Sequence, residues 1–191
     1  IFTGLEELVT KLEEFRFSKE DIEYLRSLGK FQESFLDYLS SYRFTGDLYA
    51  FDEGTPAFPQ EPLIRVETNM LDAQLIESVL LNTINFQTLI ATKASRMKLA
   101  TKSHGSIMEF GLRRAQGMDG ALSASRACYI GGADVTSNTL AGKEFGIPVA
   151  GTMAHSWIML FSDEYEAFRA FADIYPDNCI LLIDTYDTLG S

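Results

Sequence analysis

The stretch IMEFGLRR, residues 107–114, joins a short apolar run to a polar cluster that carries two arginines. This arrangement recurs at three later places along the chain. The four apolar runs, each predicted to form a strand, are Ile107–Phe110, Ala127–Ile130, Ile147–Ala150 and Ile180–Ile183. Between them, helices are predicted at about residues 118–126, 134–145 and 163–174. Strand–helix–strand units favour parallel pairing, and continuous apolarity favours strands covered on both faces, so the pattern predicts an α/β barrel or a doubly wound sheet.

The first hundred residues have a different pattern. Apolar residues at helical spacing follow two capping patterns, Thr3-Gly4-Leu5-Glu6 and Ser18-Lys19-Glu20-Asp21. Two strands are expected within Phe44–Phe51 and Leu63–Val66, because Gly and Pro residues separate these two apolar segments. A long helical stretch, formed by one helix or by two, is expected over about residues 73–100.

The change of pattern near residue 100 predicts two domains. The first, residues 1–100, is an α+β domain with a helical connection, and the second, residues 101–191, is the α/β part that carries the polar clusters. The chain begins with Ile1 and stops shortly after an apolar run, so we expect a piece of a longer protein.

Composition and charge exclude several classes of protein. Of the 191 residues, 46% are apolar and 23% are charged, as in ordinary globular proteins, which excludes disorder. The 27 acidic residues outnumber the 16 basic ones, and the net charge of −11 disfavours nucleic acid as a partner. No apolar stretch is long enough for a membrane helix, and two cysteines are too few for a disulfide framework. We therefore expect a cytoplasmic protein that binds neither nucleic acid nor membrane.

The polar clusters after the four apolar runs predict a common site. In parallel α/β folds the carboxyl ends of the strands face the same way and form the active site. The residues expected to converge there are Arg113, Asp134, Thr152, His155 and Asp184. Asp184 is a candidate for orienting the imidazole of His155. Asp134 is equally suited to capping a helix, and Gly131-Gly132 suggests an anion site formed by backbone N–H groups at a helix start.

Several segments resemble signatures of the nicotinate phosphoribosyltransferase family. They are Glu109–Gly117, Thr136–Gly142 and Gly151–Trp157, together with Phe44–Asp47 and Phe58–Leu63 in the part that resembles the family's N-terminal domain. The resemblance implies an N-terminal α+β domain joined to part of an irregular, TIM-like α/β barrel. It also implies a reaction of nicotinate with phosphoribosyl pyrophosphate. That reaction gives nicotinate mononucleotide and pyrophosphate, is coupled to ATP hydrolysis, and is the first step of NAD synthesis from nicotinate.

The same resemblance implies roles for single residues. His155 aligns with the family's phosphorylated histidine, and Asp184 with an acidic residue close to it that orients the imidazole or assists Mg²⁺ binding. Thr152 aligns with a nicotinate-contacting position, and Arg113 with a residue at the site of the base and the ribose phosphate. Mg²⁺ as cofactor, ATP as co-substrate and a homodimer in the full-length enzyme are implied as well.

Three alternatives remain open. The sister family of nicotinamide phosphoribosyltransferases resembles this chain, but it carries an acidic residue where Asn138 stands here, after Ser137. Neutral side chains at these two positions suit the carboxylate of nicotinate. Quinolinate phosphoribosyltransferase shares the barrel but is not expected to carry the His155 motif. The chain could also be a non-catalytic binding or assembly module, and on its own we expect it to be weakly active or inactive because family members are longer.

Overall fold

The computed structural model describes residues 1–102 and 104–191. Helices predominate in this part of the chain. They are α1 (Leu5–Glu14), α2 (Lys19–Ser27), α3 (Glu33–Ser40), α4 (Met70–Ala100), α5 (Met118–Ile130), α6 (Thr139–Phe145), α7 (His155–Met159) and α8 (Glu164–Ile174), with short 3₁₀ turns at Leu112–Arg114 and Pro176–Asn178. The strands are β1 (Asp47–Ala50), β2 (Ile64–Glu67), β3 (Met108–Glu109) and β4 (Val135–Thr136).

The N-terminal part is an antiparallel hairpin packed with α1 against α4. Strands β1 and β2 pair in antiparallel register, which confirms the two strands expected from the sequence. Phe2, Leu8 and Ile76 are fully buried in the core that these elements share. The capping box at Ser18 is confirmed, since its side chain accepts from the amide of Asp21. The expected cap at Thr3 is wrong, because Gly4 is the cap residue of α1 and the carboxylate of Glu53 accepts the amide protons there.

Helix α4 is one continuous helix of 31 residues, not two, and α5 packs along it. A Cβ on Gly131, at the end of α5, would lie 2.3 Å from the carbonyl oxygen of Ala91, so the two helices approach closely only because this residue is glycine. The strand predicted at Ala127–Ile130 is therefore wrong: these residues form the last turn of α5. The anion site predicted at Gly131-Gly132 is wrong for the same reason, since the two glycines end a helix instead of starting one.

A small parallel sheet follows α5. Strand β3 lies parallel to β4, with Glu109 opposite Thr136, and Val149 adds a parallel bridge to Thr136. Parallel pairing is thus confirmed, but the second strand lies at Val135–Thr136 instead of Ala127–Ile130. Among the described residues, Ile180–Ile183 pairs with no strand, so the strand expected there is wrong. The division into domains at residue 100 stays a prediction.

Helices α7 and α8 form a local core of their own. Met153, Ile158 and Ala167 are buried in it, and Trp157 and Leu182 pack against it. This packing places the start of α7 beside the extended segment that contains Leu182. Within the part of the chain that the structure describes, no helix combines the length and the apolarity needed to cross a membrane.

Candidate functional site

A cleft of about 360 Å³ lies at the carboxyl end of the parallel sheet. Three connections meet there: the turn after β3, the residue after β4, and the loop that leads into α7. The residues that line it are Phe110, Arg113, Ser137, Gly151, Thr152, Met153, Ala154, His155 and Leu182. Four of the side chains predicted from the sequence, those of Arg113, Ser137, Thr152 and His155, therefore lie around one cavity.

Arg113 is held at the rim by the 3₁₀ turn after β3. The amide of Arg114 donates to the carbonyl of Gly111 at 2.8 Å, and the amide of Gly111 donates to the carboxylate of Glu109. Among residues 1–102 and 104–191, no carboxylate lies within ion-pair distance of the Arg113 guanidinium. An exposed guanidinium without a protein carboxylate is available for an anionic ligand. Because the chain has a negative net charge, an anion can bind only where such a local positive charge offsets the repulsion.

His155 is the first residue of α7 and is half-buried. Its Nδ1 lies 3.2 Å from the hydroxyl oxygen of Thr185, which is hydrogen-bond distance. Its Nε2 lies 3.8 Å from Oδ1 of Asp184, which is ion-pair distance but too long for a hydrogen bond. The pairing of His155 with Asp184 thus holds as proximity, and the hydrogen-bond partner is Thr185, which sequence reasoning missed. The sequence alone does not indicate Thr185, because only the folded structure brings its hydroxyl close to the imidazole.

Thr152 and Ser137 line the cleft from two different segments of the chain. The hydroxyl of Thr152 donates to the carbonyl of Ile180, so this side chain ties the loop before α7 to the extended segment that carries Leu182. Ser137 follows β4, and its amide donates to the carbonyl of Glu109 at 2.9 Å. Its half-buried hydroxyl lines the cleft and has no hydrogen-bond partner among the described residues. Ser137 therefore offers a neutral donor on the β4 side.

Asp134 lies outside the cleft, and the expectation that it shares the mouth with His155 is wrong. Its carboxylate accepts from Nζ of Lys98 at 2.7 and 2.8 Å and from the amide of Ile107 at 2.7 Å. The hydrogen bond from Lys98, which has the largest effect, and the one from the Ile107 amide hold the pKa of Asp134 below its usual value. Because the strand begins at Val135, Asp134 lies at the amino end of β4, opposite to the cleft.

Asn138 is not among the residues that line the cleft. Its side chain is 3% exposed, accepts from the amide of Ala141 as the cap of α6, and donates from Nδ2 to the hydroxyl of Ser125 at 3.2 Å. The side chain is therefore directed into the protein, and its role in ligand choice stays a prediction. Sequence reasoning also missed Phe110, whose ring is 41% exposed, as a lining residue. Its place directly after a strand and before Gly111 was an available signal.

Comparisons with known proteins agree with this framework. The model of the nicotinate phosphoribosyltransferase (NAPRTase) N-terminal domain matches residues 1–85. Nicotinate phosphoribosyltransferase pncB2 of Mycobacterium tuberculosis is 47% identical over 186 residues, which cover 97% of this chain and 40% of the relative. The nicotinate phosphoribosyltransferase of Bacillus subtilis is 48% identical over 191 residues, covering 100% of this chain and 39% of the relative. Over nearly its whole length, the chain is similar to nicotinate phosphoribosyltransferases. It spans about two fifths of the length of these curated relatives.

Two solved structures of related enzymes superpose on this chain. Human nicotinic acid phosphoribosyltransferase superposes with a TM-score of 0.87 at 32% identity, over 98% of this chain and 47% of that one. The nicotinate-nucleotide pyrophosphorylase of Pyrococcus furiosus superposes with a TM-score of 0.70 at 27% identity, over 98% of this chain and 41% of that one. The α+β and parallel α/β arrangement expected for the family is therefore confirmed for the described residues.

Proposed function

We propose that the full-length protein is a nicotinate phosphoribosyltransferase, which joins nicotinate to phosphoribosyl pyrophosphate and couples the transfer to ATP hydrolysis. The observation that carries the proposal is the cleft in which Arg113, Ser137, Thr152 and His155 meet at the carboxyl end of the parallel sheet. The cleft joins a cationic donor, neutral hydroxyls and an imidazole, and this combination suits a small anionic ring and a phosphoryl group.

The flat, anionic ring of nicotinate fits the groups that follow β3 and β4. The guanidinium of Arg113 supplies the positive charge that a carboxylate or a phosphate requires, and its planar fork can donate two hydrogen bonds. The hydroxyl of Ser137 adds a neutral donor, and the exposed face of the Phe110 ring offers a surface for stacking. Within the described part of the chain, none of the residues that line the cleft carries a carboxylate, and Asp184 lies beside it next to His155.

The geometry of His155 suits transfer of a phosphoryl group from ATP. When Nδ1 carries the proton and donates it to Thr185, Nε2 keeps its lone pair and is the nucleophilic nitrogen. That lone pair attacks the γ-phosphorus of ATP, the bond from this phosphorus to the bridging oxygen breaks, and ADP leaves with the oxygen. Hydrolysis then cleaves the N–P bond and restores the imidazole. We propose that the phosphorylated form favours productive binding of the two other substrates.

The described residues fit a Mg²⁺ ion that is held mainly by substrate phosphates. They contain no group of three or more His, Cys, Asp or Glu side chains that could enclose a metal ion. Mg²⁺ usually keeps several waters and binds through one or two carboxylates plus phosphates, so the exposed Asp184 beside His155 is the candidate ligand. When bound, the ion would neutralise the charge of a pyrophosphate leaving group. Asp184 itself would otherwise repel a phosphate that approaches Nε2.

The proposal is tested on the full-length protein with nicotinate or nicotinamide, phosphoribosyl pyrophosphate, Mg²⁺ and ATP, and the mononucleotides are separated by chromatography. Nicotinate mononucleotide with stimulation by ATP supports the proposal. Preference for nicotinamide would assign the protein to the sister activity, and no mononucleotide from either base would favour a binding or assembly role. A homodimer and a cytoplasmic location belong to the same proposal, and light scattering and cell fractionation test them.

A further inference from the structure

Glu109 is the last residue of β3, and its carboxylate is not among the groups that line the cleft. One oxygen, Oε1, accepts from the amide of Gly111. The other, Oε2, accepts from the hydroxyl of Thr136 at 2.6 Å and from the hydroxyl of Ser125 at 3.0 Å. Both hydroxyl-bearing residues are 1% exposed. Three donors from three elements thus converge on one half-buried carboxylate.

These hydrogen bonds connect the two sides of the cleft. On the β3 side, the amide held by Glu109 belongs to Gly111, the residue before the 3₁₀ turn that carries Arg113. On the β4 side, the hydroxyl of Thr136 accepts from the amide of Asn138 at 3.0 Å, and the backbone carbonyl of Glu109 accepts from the amide of Ser137. The position of Arg113 relative to Ser137 is therefore fixed through Glu109.

We propose that Glu109 is a positioning residue that sets the distance between Arg113 and Ser137 and thereby the affinity for the pyridine carboxylate. This inference rests on the proposed function, because it assigns the ligand of the same cleft. Glu109 does not line the cleft, so we assign its effect to the turn that it holds and not to its own charge. Misplacement of a binding group by a distance on the order of 1 Å costs up to about a hundredfold in rate, which sets the scale expected here.

The arrangement predicts a specific order among variants of Glu109. A glutamine keeps the length and one acceptor oxygen, which can remain on the Gly111 amide. Its NH₂ group then faces Thr136 and Ser125, whose hydroxyls can accept as well as donate. Glu109→Gln therefore keeps the turn, whereas Glu109→Ala removes the acceptor for an amide that has no other partner among residues 1–102 and 104–191. A role that depends on the negative charge would give the opposite result, with Gln as harmful as Ala.

The experiment measures KM for nicotinate and kcat in the full-length protein, corrected for the folded fraction. Glu109→Ala is expected to raise KM about tenfold or more, and Glu109→Gln less than threefold. In the double variant with Arg113→Ala, the Glu109→Ala change should add little, because both changes remove the same interaction. The control is Glu53→Ala, which removes another carboxylate that accepts backbone amides but lies outside the cleft, and it should lower the melting temperature without changing KM.

A second measurement does not depend on the proposed activity. Hydrogen exchange of the peptide that spans residues 107–117 should accelerate in Glu109→Ala and stay near the wild-type rate in Glu109→Gln. Additive effects of Glu109→Ala and Arg113→Ala on KM, or equal damage from Gln and Ala, would overturn the positioning role. If the wild-type protein forms no nicotinate mononucleotide, the proposed function fails, and unchanged exchange in Glu109→Ala then overturns the positioning role separately.

Discussion

The Nδ1 atom of His155 lies 3.2 Å from the hydroxyl oxygen of Thr185. The hydroxyl of Thr185 is therefore within hydrogen-bond distance of the imidazole, whereas the carboxylate of Asp184, at 3.8 Å, is not. A hydroxyl can accept the Nδ1 proton, which leaves the lone pair on Nε2, the nitrogen nearer to Asp184. In the proposed phosphoryl transfer, a Thr185 hydroxyl that accepts from Nδ1 would leave Nε2 free to react, and Asp184 lies beside that nitrogen.

This geometry predicts different effects for three variants of the full-length protein. His155→Ala should abolish acid-labile labelling by γ-³²P-ATP and the stimulation of nucleotide formation by ATP, because the phosphoryl acceptor is gone. Thr185→Val should lower the initial rate of labelling about tenfold, since the preferred tautomer is lost. His155→Asn keeps a polar side chain and should fold like the wild type. Wild-type labelling in His155→Ala would disprove the phosphohistidine, and normal labelling in Thr185→Val would disprove the tautomer argument.

Arg113 and Arg114 form a matched pair for testing the anion site. Both follow β3 and both are exposed, but only Arg113 lines the cleft. Arg113→Ala should raise KM for nicotinate or phosphoribosyl pyrophosphate at least tenfold, because a charge-assisted bidentate contact is lost. Arg114→Ala should stay within about twofold of the wild type. Steady-state kinetics with each substrate varied in turn checks this, and equal effects of the two substitutions would argue against Arg113 as the anion ligand.

Sequence reasoning succeeded where the signal is local. Arg113 lies in the turn after β3, and Thr152 and His155 follow the segment that bridges to β4, so the rule on strand ends predicts that all three line the cleft. It failed for Asp134 because the apolar run Ala127–Ile130 predicts a strand, whereas the strand of the structure is Val135–Thr136. A run of four apolar residues fits a strand and the buried turn of a helix equally well. Only the packing of α5 on α4, a contact between distant parts of the chain, decides between them.

Asp134 is expected to act on stability and not on substrate binding. Its carboxylate is bound by Lys98 and by the Ile107 amide, away from the cleft. Asp134→Ala should lower the melting temperature, because the ion pair with Lys98 and the hydrogen bond from the Ile107 amide are both lost. KM for each substrate should be unchanged within about twofold. Thermal melting and kinetics on the same preparation test this, and Lys98→Ala should give a similar loss of stability. A rise in KM without a loss of stability would contradict this and indicate that Asp134 contributes to substrate binding.

The stability of the N-terminal part should depend on pH through Glu53. Its carboxylate accepts from the amides of Gly4 and Leu5 at the start of α1 and pairs with Arg126 of α5 at 2.7 Å. Burial alone would raise the pKa of Glu53, but the hydrogen bonds from Arg126 and from the two amides outweigh it, and the pKa lies below its usual value. A carboxyl group whose pKa is lowered by folding stabilises the folded state above the pKa it has when unfolded, which is about 4.3.

The stabilisation by Glu53 should therefore be complete at pH 7 and decline as pH falls from about 5 through the lowered pKa of the folded state. Glu53→Gln removes the charge and should cost about 2 kcal/mol at pH 7, as for hydrogen bonds to charged groups. The difference in stability between wild type and variant should then shrink toward acid, because protonation makes the wild-type side chain neutral as well. Melting temperatures of both proteins at several pH values between 3 and 7 measure this difference. The other acidic groups contribute equally to both proteins, so their contribution to the pH dependence cancels in the comparison.

Glu33→Gln is the matched control, since Glu33 is an exposed carboxylate that also pairs with an arginine, Arg26. Its variant should differ little from the wild type at every pH, because exposed pairs contribute little to stability. A constant difference between wild type and Glu53→Gln from pH 7 to pH 3 would contradict this account of how α1, α5 and the hairpin loop are held together.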